Sequence, residues 1–177
     1  MEQHHPLAMV LALVIVLAIA YFSARKPRQR PAGERQGLSS KELRAIMKQR
    51  AQDAVRSGEE EHGKKLDLSP ESVQQVEEIL AALHERHTAS SFDTERLTQE
   101  ATKWGAYVGE ALKKVYPSEW RQDSEQGGPW SLPLAELRGE LEVFPVGWVR
   151  QRIVEGPEHN VWARFCFFVD ERVQGQS

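Results

Sequence analysis

Residues 7–22, LAMVLALVIVLAIAYF, contain no charge and no helix breaker. Such a run must be buried in lipid or in a protein core. A helix over residues 7–24 would rise about 27 Å, against about 30 Å of hydrocarbon. Arg25 and Lys26 can snorkel to the headgroups, and Tyr21 and Phe22 fall at the level of an aromatic belt. Arg25, Lys26, Arg28, Arg30 and Arg35 follow the run, whereas MEQHHP ahead of it has no Lys or Arg. The positive-inside rule then predicts a single membrane anchor over 1–24, with the bulk of the chain in the cytoplasm. The alternative is a cleaved export signal, which would make the remainder periplasmic or exported. Ala18-Ile19-Ala20 offers a small-x-small cleavage site, but the expected basic n-region is missing. A lipoprotein is excluded, because the single cysteine is Cys166.

Residues 25–38, rich in Pro, Gly, Arg and Gln, read as a flexible basic linker. Residues 39–177 are long enough for one domain with a real core, expected mainly within 66–172. A net charge of −3 leaves no global nucleic-acid footprint. The basic run fits membrane topology and attraction to anionic lipids instead. One cysteine precludes an intrachain disulfide. Within RFCFFV, Cys166 reads as a small core hydrophobe rather than a nucleophile.

Ser39 and Glu42 form a capping box that predicts a helix to about Ser57, with Gly58 as its stop. Its apolar positions, Leu43, Ile46, Met47, Ala51 and Ala54, are interrupted by Arg50, so weak packing is expected. Residues 59–65 read as a charged loop. Ser69, Pro70 and Glu71 open a second helix, carrying Val73, Val76, Ile79, Leu80 and Leu83 to about His87. Asp93 or Thr94 caps a third, ended by Pro117. Its stripe is Leu97, Ala101, Trp104, Val108, Ala111, Leu112 and Val115. Gly105 and Gly109 flank that stripe and each costs up to about 1 kcal/mol there, so close backbone packing, or a ligand, is expected against them. Residues 137–144 alternate as a strand. Pro145 opens a short helix closed by Gly156-Pro157. Residues 162–170 are rich in β-favouring aromatics and read as a second strand. The expected fold is α+β: an N-terminal transmembrane helix, then about three helices followed by a small antiparallel sheet.

No Gly-rich phosphate loop and no Gly-x-Ser-x-Gly is present, so no cofactor and no enzymatic activity are expected. His84 and His87 sit three apart but lack a third ligand at metal-binding spacing. Both suit a helix C-terminus. Glu110 lies roughly opposite its helix's apolar face and is placed to pair with Lys114. The other reading is a binding carboxylate beside Tyr107. Five tryptophans, 104, 120, 130, 148 and 162, fall late in the chain. At least three are expected in the core; any exposed ones, mixed with Arg150, Arg152 and Arg164, would make an interaction surface.

The string Trp104-Gly105-x-Tyr107-x-Gly109-Glu110-x-Leu112, followed by Trp120, resembles a recurring bacterial domain of unknown function. Phe144-Pro145-Val146, Val149-Arg150-Gln151-Arg152 and Gly156 through Trp162 extend the resemblance over roughly residues 95–170. It implies a bacterial setting, a compact α+β module and no transferable activity. Glu110, Trp120, Arg152 and Asn160 are its polar or large members and become the candidate binding residues. The expected function is a single-pass inner-membrane protein whose cytoplasmic domain binds another protein. An enzyme with a pocket around Glu110, using Arg152 or His159, is the alternative from a different class.

Overall fold

Ser39 starts the first helix as its side chain predicts. Its Oγ accepts from Glu42 N at 3.3 Å, and Glu42 Oε2 accepts from Ser39 N at 2.8 Å. The computed structural model describes residues 38–115, 117–128, 131–137 and 141–174, with side chains up to Asp170. The expected anchor, nearly all of the linker and Trp130 lie outside the described residues. No helix among the described residues is long and apolar enough to cross a membrane.

Helix α1 runs Ser40–His62, longer than its sequence suggests. Gly58 is not its stop, and residues 59–62 are helical rather than loop. Gly63 ends it instead, in the left-handed conformation at φ 64°, with its N–H bonded to Glu59 O at 3.2 Å. Gly58 is bare because Leu66 folds back onto it: a Cβ there would lie 2.6 Å from Leu66 Cδ1. The expectation of weak packing also fails. Leu43, Met47, Ala51 and Ala54 make an unbroken buried stripe, while Ile46 and Arg50 face outward. The stripe packs mainly on α3, so the core begins well ahead of residue 66.

Helix α2, Pro70–Ala89, has Ser69 as N-cap and buries Val73, Val76, Ile79, Leu80 and Leu83 as expected. Helix α3, Thr94–Val115, starts where Asp93 Oδ1 accepts from Arg96 N at 2.7 Å. It is buried over most of its circumference. Three short strands follow, β1 Ser118–Trp120, β2 Leu134–Glu136 and β3 Glu142–Val143, antiparallel in the order β1-β2-β3. The strand expected over 137–144 thus shrinks to its last part, and β1 and β2 are additions. Pro145 opens helix α4, Pro145–Glu155, and Pro157–His159 forms a 3-10 turn.

The strand expected over 162–170 is instead helix α5, Val161–Gln174. Val161, Phe165 and Phe168 recur at i, i+4 and i+7 and are all buried. That helical spacing, started by a side-chain cap, outweighs the β-preference of the aromatics. The fold is α+β, with five α-helices among the described residues. Its sheet lies between α3 and α4 in the chain rather than at the end.

Candidate functional site

The motif on α3 is a packing frame. Trp104 is fully buried, and its Nε1 donates to Glu100 at 2.9 Å. At Gly105 a Cβ would lie 2.5 Å from the Cα of Val146, so the glycine admits the first turn of α4. The Tyr107 hydroxyl accepts from Leu68 N at 2.8 Å and lies 2.5 Å from Ser72 Oγ. Burial pushes its pKa up. Leu68 has φ 63°, a conformation rare for a branched residue, and this hydrogen bond helps to hold it. At Gly109 a Cβ would lie 2.1 Å from the Trp120 ring, which is 3% exposed. Glu110 then takes the indole N–H at 2.8 Å and the Lys113 ammonium at 3.3 Å. Lys114, its expected partner, reaches Asp67 O instead, at 2.9 Å. Glu110 and Trp120 are therefore brought together, to dock β1 on α3. Both glycines serve close packing, against backbone at one and an indole ring at the other.

Arg152 is 4% exposed and sits apart from that pair. Its Nε donates to Glu77 Oε1 at 2.6 Å, and Glu77 Oε2 accepts from Val161 N at 2.8 Å. One buried carboxylate thus ties α2 to α4 and to the start of α5. Arg152 Nη1 is buried without a hydrogen-bond partner. Asn160 lies beside this junction in the chain. Its Oδ1 accepts from Ala163 N at 2.7 Å and caps α5. Glu77 is the residue that sequence reasoning missed: it lies 75 positions from Arg152, and its only local signal is a charge on the buried side of α2.

The histidines have structural partners. His84 Nδ1 meets Ile153 O at 2.9 Å, and His87 Nδ1 accepts from Phe92 N at 3.0 Å. His159 links two charged side chains. Its Nε2 is 2.6 Å from Glu155 Oε2, and its Nδ1 is 2.6 Å from Arg164 Nη2. A guanidinium only donates, so in this arrangement Nδ1 accepts and Nε2–H faces the carboxylate. Arg164 also donates to Gln151 Oε1 at 2.8 Å. Glu110, Arg152 and His159 therefore engage three separate sets of partners. Trp104 and Trp120 are buried, whereas Trp148 and Trp162 are partly buried against the core. Cys166 is only half-buried; burial raises its thiol pKa, with a smaller push from Asp170.

A concave surface does exist, and Arg152 does not line it. Leu141, Val143, Trp148, Ala163, Phe167 and Phe168 wall a groove of about 530 Å³ between β3, α4 and α5. Glu158, Asn160 and Arg164 form its polar edge. Of the four candidate residues, only Asn160 reaches this groove. Phe167 stands in it 64% exposed, and Leu141 39% exposed. Such a surface offers apolar anchoring area with few polar groups. No protein-family model matches the chain, no curated protein matches its sequence, and no solved structure matches its fold.

Proposed function

We propose that this chain is a single-pass bacterial inner-membrane protein whose cytoplasmic α+β domain binds another protein. The observation that carries the binding is the apolar groove, with Phe167 left in solvent at its wall. An aromatic exposed beside a concave apolar surface loses water when a partner covers it. The uncharged run 7–22 and the basic residues after it support the anchor and its orientation. The resemblance around Trp104–Trp120 supports the bacterial setting. Arg152, through Glu77, then holds two of the groove's walls, α4 and α5, Asn160 fixes its edge, and Glu110 with Trp120 fastens the sheet's first strand to α3.

The test is site-specific photocrosslinking of the full chain in native membranes. A crosslinking amino acid at Phe167 should give a discrete protein adduct, and the same group at exposed Gln52 on α1 should not. Equal labelling at both positions, or none at either, overturns the binding reading. A reporter active only in the cytoplasm should work when fused after Ser177. Activity of a periplasm-only reporter instead overturns the orientation.

A further inference from the structure

The groove's surroundings specify the chemistry of its occupant. The exposed face of α5 runs Ala163, Phe167 and Asp170, at i, i+4 and i+7. Glu158 lines the groove just ahead of the helix, and Asp170, beyond the lining, ends the exposed face of α5, so carboxylates stand at both ends of that face. Arg164, the cation at this edge, is already engaged by Gln151 and His159. The wider charge agrees: residues 117–177 contain ten acidic residues, six arginines and no lysine, a net −4. One of those arginines, Arg152, is buried against Glu77.

We infer that the groove receives a short amphipathic helix of another protein, with an apolar stripe flanked by Lys or Arg. This rests on the protein-binding reading above and adds the partner's shape and charge. A helix laid in a groove anchors through side chains at i, i+3 or i+4, and i+7. Ala163 leaves room for a backbone to approach α5, and Phe167 inserts between successive anchors. Basic flanks would lie over Glu158 and Asp170.

The same charges argue against the two other occupants. An anionic lipid surface attracts clustered Lys and Arg, whereas the described lining holds Arg164 as its one cation. In a two-fold pair of this chain, antiparallel α5 helices would set Glu158 of one copy against Asp170 of the other. A parallel pair would set each residue against its own equivalent. Like charges face each other in both, which is unfavourable.

The test uses the full chain in nanodiscs of uncharged lipid and three designed helical peptides. All three share one Leu/Phe stripe, with flanks of Lys, Glu or Gln. Fluorescence anisotropy at low salt should show the Lys peptide binding at least tenfold tighter than the Glu peptide. The gap should narrow as salt screens the rim. Phe167→Ser should weaken every peptide at least tenfold; the site is largely exposed, and an unchanged unfolding midpoint would confirm an intact fold. Glu158→Lys with Asp170→Lys should reverse the preference. Equal affinity for the three peptides, or binding indifferent to Phe167→Ser, overturns the inference. So does self-association that the peptides displace, or tighter binding to anionic vesicles than to any peptide. A Phe167-specific protein adduct without charge preference defeats this inference alone. No adduct and no peptide binding defeat the binding reading as well.

Discussion

Removing both members of the Glu77–Arg152 pair should cost less than removing either one. The two groups are 9% and 4% exposed, and they bond at 2.6 Å. Arg152→Met would leave the Glu77 carboxylate buried with only the Val161 N–H to answer it. Glu77→Leu would strand the guanidinium, which already has an unpartnered Nη1, and would also orphan that N–H. Breaking a buried pair from one side costs about 3–5 kcal/mol. Independent losses would therefore sum to about 6–10 kcal/mol in the double variant. The structure predicts otherwise. Glu77→Leu with Arg152→Met removes both charges together, and the main residual cost is the orphaned Val161 N–H, about 1–3 kcal/mol. Urea unfolding followed by circular dichroism measures all four corners of the cycle. A domain of ordinary stability, about 5–15 kcal/mol, is brought close to unfolding by either single change. The double variant should then be the better folded protein. A double variant whose cost reaches or exceeds that of either single change would refute the reasoning, as would an Arg152→Met cost under about 1 kcal/mol.

Gly109→Ala should destabilise, because its Cβ meets the Trp120 ring; overpacking costs about 1–3 kcal/mol, against at most about 1 kcal/mol of better helix propensity. Gly109→Leu should cost more, and a gain in thermal stability from either variant would contradict the packing. Residues 38–177 should unfold cooperatively whereas residues 66–177 should not, since the latter lack the buried face of α1; calorimetry of both fragments decides it. Asn160→Ala should cost about 0.5–2 kcal/mol by uncapping α5, with Asn160→Asp or Asn160→Ser largely retaining stability in the same urea titration. The Tyr107 pKa is raised in the fold, so its contribution is full below about pH 10 and is lost as pH rises through the folded value. Tyr107→Phe should flatten that alkaline decline in a pH series of unfolding midpoints.

The helices that could be read were those whose apolar spacing and caps agree. Ser69-Pro70-Glu71 and Asp93 mark two starts, and the stripes behind them are continuous. The end of helix α1 is not legible at Gly58, because a glycine inside a helix looks like a stop and no sequence pattern links it to the Leu66 side chain lying across it. Helix α5 is masked in the sequence because Phe165, Phe167 and Phe168 favour strands one at a time. Its i, i+4, i+7 pattern and the Asn160 cap are present in the chain, but they compete with that local β-preference. The strands are only two or three residues long, too short for alternation to show. Of the candidate site, the Gly109–Trp120 approach was foreshadowed by two glycines in one helix. The Glu77–Arg152 junction was not, because no local pattern links residues 75 apart. The groove was hidden for a related reason: its walls come from three elements, one of them read as a strand.

The pairing of α1 with α3, rather than with its neighbour α2, has a consequence for biosynthesis. Of the described helices α1 leaves the ribosome first, yet the surface it needs is finished only at Val115. At about 5–20 residues per second, the roughly 50 residues between His62 and Val115 take on the order of 3–10 s to make. During that interval Leu43, Met47, Ala51 and Ala54 lack the α3 surface that is their main partner. The nascent protein thus passes through a stage with a greasy helix unshielded, where a chaperone or a protease can compete for it. Chains stalled on the ribosome near residue 130, with α1 outside the exit tunnel and α3 still within its roughly 40 residues, should be cut by protease around Met47, and chains stalled some 40 residues beyond Val115 should resist.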